Sequence, residues 1–594
     1  MCGQIPLSSI SERRACCRTF RSPVASAAAD PAAAAPAAAG VQPMQEPQIR
    51  PYRADLDTND GMRSPPLDWQ YSSGCTAAIK VDVPVFLNGG KVQIVQQTVP
   101  QLTKDAVQKI QQAALAATPS DVQQAAARLR TVSKASGFLH PGTCMGPVEV
   151  ATMQYRVRNR VEPQATAKDA LLSGAGVPPK LYPGNWSVPQ ATPLSYSGPY
   201  AMETIDIKWS GINTDKVVCP QHYPAAAPSI LCGHISLVEF DAEQSLKQAV
   251  AYLATGQQAY MTNALRIVDA WAATNKVWGV KEQNGPLEAG WACATMAKTL
   301  ELLRDQPAAA GALQRFARWV DGVMMPQMDF YADEVTPVNL ALGTKHLYGN
   351  WHSTVAECFM SYGILTDNRS RYEKGVKLFQ ETLKDYLKWG RGGFTEGGRI
   401  IGECSETLRD IYHSQFGFGG LIQAAEIAWQ QGEDLYSSSN YALVPALELH
   451  ARIIRAYQSN DSSLLPSGFR FGDDMPLAPE GTTWKFDIRQ QAWQAFNMTT
   501  MQPVANLKDG YKYLIGVMFL PTGWEVAHNH FVGRLGMKMP ETAALLAGNW
   551  PEWQSFHWGL GSLSHAGTAG ELWRPGVQHA ALCSSQASAP AKRG

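Results

Sequence analysis

No run of eighteen apolar residues occurs in the 594-residue chain, so no segment is expected to cross a bilayer as a helix. Excess charge of either sign is missing too. Lys plus Arg number 51 and so do Asp plus Glu, which leaves no basic field to attract nucleic acid. No paired Cys-x-x-Cys spacing marks a zinc or redox motif. No Lys-Ser/Thr follows Gly417-Phe418-Gly419-Gly420, as a phosphate loop requires. No Gly-x-Ser-x-Gly elbow presents a nucleophilic serine. Nucleic acid and membrane are therefore not expected as partners, and no cofactor is implied.

What is present is a long, apolar-rich chain. At 45% hydrophobic content it far exceeds one small core, and its length fits two to four domains or one large toroid or barrel. Seventeen Trp and twenty Tyr offer flat faces on which sugar rings stack, although most aromatics fill cores. Arg13, Arg14, Arg18 and Arg21 precede an Ala/Pro tract from Ala25 to Gly40, a composition typical of a targeting or disordered segment. Cys219 and Cys232 are close enough to bridge a loop, and the Asn-x-Ser/Thr sequons at Asn185, Asn368, Asn460 and Asn497 fit secretion. A secreted or periplasmic address and a monomeric state are expected.

The organisation is expected in four parts: a segment over 1–50, an N-terminal extension over 51–137, a main domain over 138–567, and a tail over 568–594. In the extension, Ala78–Val83 and Val92–Val95 alternate as a hairpin does, and 103–134 has helical spacing. The chain from Phe138 to Glu239 is punctuated by Pro and Gly and reads as long loops with short helices. From about residue 240, helix-length segments recur in pairs. Tyr252–Tyr260, Tyr362–Tyr372 and Trp429–Tyr436 each hold a tight polar turn between two helices, the second ending near Trp271, Trp389 and Tyr457 respectively. Recurrent hairpins with little strand signal predict a mainly α fold, a solenoid or a closed α/α toroid with minor β content.

The residues with chemistry cluster in two places. Read as a helix, Glu403–Phe416 sets Glu406, Arg409 or Asp410, His413 and Phe416 or Gly417 on adjoining turns of one face. Arg409, Tyr412 and His413 then supply a fixed cation and two proton-transfer groups, a set suited to an acidic substrate. Upstream, Gly349-Asn350-Trp351-His352-Ser353 opens another helix with an amide and a second imidazole. Alone, each reads as a capped helix or a satisfied core histidine; together they point to a site.

These segments resemble the alginate lyase domain family. Leu287–Trp291, the Asn-Trp-His-Ser helix start, Glu406–His413, Ala425–Tyr436, Trp524–Phe531 and Phe138–Gly142 fall in the expected order over 138–567. The resemblance implies an α/α toroid that cleaves a uronic-acid polysaccharide, alginate or a glucuronan-like polymer, by β-elimination. The C5 proton of a uronate becomes acidic only once its carboxylate is neutralised. A base then removes that proton while an acid protonates the departing O4. The resemblance assigns Asn350 and Arg409 to the carboxylate, with His352 and His413 as base or second neutraliser. Relatives carry a proton-transferring Tyr seven residues after this Arg, where Phe416 stands here. The task then falls to Tyr412 or a His, or catalysis is lost. His352 stands where many bacterial relatives have Glu and alginate lyases proper have His.

Glu288, Trp291, Trp351, Asn529 and His530 are candidate sugar contacts, although a capping Glu and a buried Trp would read the same way. His528-Asn529-His530 is a poor metal pair, because a one-residue gap aligns imidazoles mainly on a strand and no third ligand is near. Two other classes compete. A toroid glycoside hydrolase needs two carboxylates, which Glu288, Glu406 and Glu525 could supply, and a non-catalytic carbohydrate-binding relative would tolerate Phe416.

Overall fold

The computed structural model describes residues 76–87, 91–116, 118–173, 234–275, 278, 285–342, 349–387, 401–404, 406–407, 411–459, 461–465, 482–487, 492–497, 499–500, 513–514, 523–549 and 560–566. The first elements are an antiparallel hairpin of β1 (Thr76–Phe86) and β2 (Val92–Gln101), with Val83 opposite Val95. Two helices follow, α1 (Lys104–Ala116) and α2 (Ser120–Leu129), so the single helical run expected over 103–134 is split. Pro119 is the cause. It stands at the N-cap of α2 with ψ 148°, offers no N–H to a helix, and keeps the preceding residue extended. A short bridge of β3 (Thr131–Val132) and β4 (Leu139–His140) leads to α3 (Pro147–Arg158) and α4 (Gln164–Ser173).

From His234 the helices come in hairpins. α5 (His234–Thr255) pairs with α6 (Gln258–Thr274), and α7 (Gly285–Leu303) is followed by α8 (Ala309–Trp319), α9 (Met325–Phe330) and α10 (Thr336–Leu342). α11 (Gly349–Leu365) pairs with α12 (Arg369–Tyr386), and α13 (Ile411–Gln430) with α14 (Ser438–Tyr441) and α15 (Leu443–Ser459). The three tight turns expected from the sequence are the α5/α6, α11/α12 and α13/α14 connections. α12 ends at Tyr386; Trp389 lies outside the described residues.

The partners in each hairpin differ as their sequences require. Every residue of α7 is buried, and so is every residue of α11 except half-buried Trp351. Such all-round apolar helices belong inside. α8 buries only Ala309, Ala312, Phe316 and Trp319, and α12 only the stripe Tyr372, Gly375, Leu378, Phe379, Thr382, Leu383 and Tyr386. Those three- and four-residue spacings are one face of an outer helix. The inner helices α5, α7, α11 and α13 pack side by side.

Three short helices follow near the other end of the described chain, α16 (Trp524–His528), α17 (Pro540–Gly548) and α18 (Gly561–Ser564), and ring closure joins two of them to α3 and α4. α13 packs on α16, α16 on α18, α18 on α3 and α4, and both of these on α5. The architecture is a mainly α, (α/α) toroid. Its minor β content includes a three-stranded antiparallel sheet of β5 (Thr482–Asp487), β6 (Ala492–Asn497) and β7 (Tyr513–Leu514).

Two π turns interrupt the run from Ala309 to Leu342, at Val320–Met324 and Tyr331–Val335. Each is followed within two residues by a proline, Pro326 and Pro337. Proline removes a helical N–H and its ring collides with the carbonyl four residues back, so the preceding turn widens. Inside the toroid, Cys293 of α7 and Cys358 of α11 form a disulfide with Cα atoms 5.6 Å apart. Cys219 and Cys232, the expected pair, lie outside the described residues.

Candidate active site

The starts of three inner helices meet at one end of the toroid. Leu287 and Trp291 from α7 and Phe416 from α13 form one buried cluster, with Trp351 of α11 packed against it. Trp291 and Phe416 meet edge to face with centroids 5.3 Å apart, and the His413 ring lies 6.3 Å from that of Phe416. Phe416 is thus part of an aromatic wall, with no proton to transfer.

The start of α11 is held from behind. Glu406 Oε2 accepts the Gly349 N–H at 3.0 Å, placing a buried carboxylate at the positive end of the helix. Gly349 is required there, because a Cβ would overlap the Tyr386 ring. One residue on, the side chain of Asn350 is only 1% exposed, yet neither its Nδ2 nor its Oδ1 has a hydrogen-bond partner. A buried amide left unpaired costs about 1–3 kcal/mol per group, and an accounting is due where one persists. Gln415, at the start of α13, is buried with both amide atoms unpartnered in the same way; sequence reading passed over it.

His352 is buried beside the hydroxyl of Tyr331, which lies 3.2 Å from Nδ1 and 3.3 Å from Nε2. The Tyr331 ring also packs on Trp351, centroids 5.3 Å apart. Tyr331 had no sequence motif to mark it, and the only available signal was Pro337, which forces the π turn that begins at Tyr331.

The helix expected over Glu403–Phe416 needs correction. α13 begins at Ile411, and the described residues of 403–407 lie in turns and extended chain. The Thr407 hydroxyl accepts the Cys404 N–H at 2.7 Å, a side-chain bond of the kind that competes with helix formation. Thr407 Oγ1 also lies 3.0 Å from His450 Nε2, while His450 Nδ1 donates to the Ala446 carbonyl at 2.7 Å. Arg409 lies outside the described residues, as does the side chain of Tyr412. Glu406 is engaged at Gly349 and does not share a helical face with His413.

Glu288 is buried in the first turn of α7, and Asn529 in a π turn spanning Asn529–Arg534. His530 is placed elsewhere. Its ring stacks on Tyr436 at 3.8 Å and lies 4.7 Å from Trp429, thirteen residues along α13 from Phe416, or about 20 Å at 1.5 Å per residue. Burial first, and then the Arg534 guanidinium, push its basicity well below the usual imidazole value. His530 is therefore a neutral ring at the opposite end of the helix from Asn350, and a role in binding sugar beside Asn350 is not what its position offers. His528 and Asn529–His530 continue a helix rather than a strand. Among the described residues no group of three or more His, Cys, Asp or Glu is arranged to hold a metal ion, and no helix is long and apolar enough to cross a membrane.

The inner helix starts thus bring together an unpartnered amide, an imidazole–phenol pair and aromatic faces at one end of a helical toroid. Residues 232–459 match the model of the alginate lyase family. Among solved structures, alginate lyase A1-III from Sphingomonas species A1 is 16% identical, with a TM-score of 0.34 over 53% of this chain and 78% of that one. A substituted form of A1-III complexed with tetrasaccharide is 16% identical, with a TM-score of 0.35 over 56% and 81%. An alginate lyase from Bacteroides ovatus is 14% identical, with a TM-score of 0.35 over 57% and 87%. No curated protein matches the sequence.

Proposed function

We propose that the protein is a polysaccharide lyase that cleaves a uronic-acid polymer, alginate or a glucuronan-like chain, by β-elimination. The observation that carries this reading is the unpartnered Asn350 amide at the start of α11, two residues from His352. An amide N–H there is free to meet a uronate carboxylate, and the positive end of the helix favours the same negative charge. Arg409 adds the cation that completes neutralisation. The His352 imidazole takes the C5 proton, and Tyr412 and His413 are the remaining groups able to handle protons. The electron pair left at C5 forms the C4–C5 double bond as the C4–O4 bond breaks and O4 gains a proton. Glu406 is occupied with the Gly349 N–H, which weighs against its use as one of the two free carboxylates a hydrolase needs.

The functional unit is larger than the family match, because α3, α4, α16 and α18 close the ring; we take it to run over 138–567. The buried Cys293–Cys358 bridge supports a secreted or periplasmic address, where disulfides persist.

The test is a panel of purified uronans followed in the ultraviolet for unsaturated ends. Elimination produces them and hydrolysis does not. Arg409→Ala is expected to abolish the signal with the fold intact. Turnover within a few-fold of wild type in that variant would remove Arg409 from the site, and binding of oligouronates without turnover by the wild type would favour a carbohydrate-binding protein.

A further inference from the structure

The two buried glutamines farther along α13 are both satisfied. Gln423 Oε1 accepts from Lys298 Nζ at 3.4 Å, and Gln430 Nε2 donates to Glu426 Oε1 at 2.7 Å. Gln415, in the second turn of the same helix, is 0% exposed and has no partner at Oε1 or at Nε2. The residue one turn on, Gly419, has no side chain with which to pair.

Packing fixes where this amide sits relative to Asn350. Gly420 of α13 lies so close to Ser353 of α11 that a Cβ would collide with its side chain, and Gly349 and Gly417 both lie against the Tyr386 ring. The two contacts run in the same order along both helices, so α11 and α13 lie side by side and parallel, with Asn350 level with Gly417. Gln415 is then two residues back, about 3 Å along the axis at 1.5 Å per residue. It is also next in sequence to Phe416, whose ring belongs to the wall with Trp291 and Trp351. Two buried, unpartnered amides thus stand on neighbouring helices within one turn of the same level.

We propose that Gln415 is a specificity-determining substrate contact, binding the C2 and C3 hydroxyls of the uronan chain whose carboxylate meets Asn350. This deepens the reading above and rests on a uronan being the substrate. A side-chain amide presents a donor group and an acceptor together. A carboxylate only accepts, so it would leave Oε1 stranded. Two hydroxyls on adjacent carbons can donate to Oε1 and accept from Nε2 at once. In a uronan linked through O4, the hydroxyls left free on each ring are those at C2 and C3. Their arrangement differs between epimers, so a fixed amide selects among them. A site built to hydrogen-bond a substrate hydroxyl rejects an analogue lacking it, because its own buried polar atoms then stay unpaired.

Gln415→Met keeps the length of the side chain and removes both polar atoms. On a uronan the wild type cleaves, we expect KM to rise about tenfold or more, the scale of losing hydrogen bonds between neutral groups. The value of kcat should stay within a few-fold, the pattern of lost uniform binding. Affinity for a short oligouronate, measured by calorimetry, should fall by the same factor, and Tm should hold or rise. The wild type should cleave the same polymer acetylated on O2 and O3 at least about tenfold less efficiently, and Gln415→Met should lose most of that preference. Equal cleavage of both polymers by the wild type, an undiminished preference in Gln415→Met, or a wild-type KM in that variant each overturn the assignment while leaving the lyase reading in place. So does a loss of folding in both Gln415→Met and Gln415→Leu, which would make the amide structural. A wild type that binds oligouronates more tightly than Gln415→Met yet forms no unsaturated ends removes the lyase reading and keeps the contact. No binding of any uronan removes both.

Discussion

Asn350 is buried to 1% exposure with both amide atoms unpartnered, so its polarity costs the folded protein stability and returns none through contacts within it. A side chain retained on those terms is best explained by what it binds. Asn350→Leu should therefore abolish lyase turnover while leaving Tm unchanged or higher, since replacing an unsatisfied buried amide by an apolar group of similar shape is neutral or stabilising. A uronan assay beside a thermal melt decides it; a lower Tm with full activity would show that the amide is structural. At this scale the sequence was legible where chemistry and helix starts coincide. Asn350, Trp351 and His352 sit at a helix start because Gly349 and Glu406 hold it there. Tyr331 was not legible, because an isolated Tyr in an outer helix has no partner visible in one dimension. Glu406 was placed wrongly because its carboxylate caps a helix 57 residues away instead of joining its own.

Between elements, the same limit applies to cysteine. With eleven cysteines in the chain, pairing cannot be read from spacing, and among the described residues the two that join are 65 residues apart on neighbouring inner helices. They tie α7, which carries Trp291 two residues before Cys293, to α11, which carries His352 six residues before Cys358. Closing a loop of that length stabilises the folded state by about 4 kcal/mol in the chain-entropy account. The double variant Cys293→Ser/Cys358→Ser should melt several degrees lower and lose activity at a correspondingly lower temperature, yet turn over normally when cool. An unchanged melting curve, with and without reductant, would show that the bridge adds nothing to stability. Helix lengths and the inner–outer distinction were largely visible in the periodicity. The two π turns were signalled only by Pro326 and Pro337 inside a helical run.

For the whole molecule, hairpin recurrence revealed a toroid or a solenoid but not which of the two. Closure depends on α3, α4, α16 and α18, short helices from distant parts of the chain that share no repeat. Arg534, in the π turn after α16, joins them. Its guanidinium grips Glu426 of α13 through Nη1–Oε2 at 2.8 Å and Nη2–Oε1 at 2.9 Å, and reaches Glu149 of α3 at 3.5 Å. His565, just after α18, lies 3.4 Å from the same Glu426. Burial alone would push the Glu426 carboxyl up, but Arg534 and His565 together hold it well below the ordinary value of 4.5. A depressed folded pKa contributes stability that is complete above 4.5 and is lost as pH falls through the folded value. Arg534→Leu leaves the buried Glu426 carboxylate with His565, Tyr436 and Gln430 but without its guanidinium, so it should cost up to about 3–5 kcal/mol at neutral pH. The gap to wild type should narrow on acidification, first as the Glu426 of the variant, deprived of the guanidinium, takes a proton, then below pH 4.5 as the wild type loses its own contribution. Denaturant melts of both proteins across that range test the clasp. A gap that stays constant with pH would mean Arg534 acts by packing on Trp429, over whose ring its guanidinium also sits at 4.9 Å, and no gap at neutral pH would mean the ring closes without it.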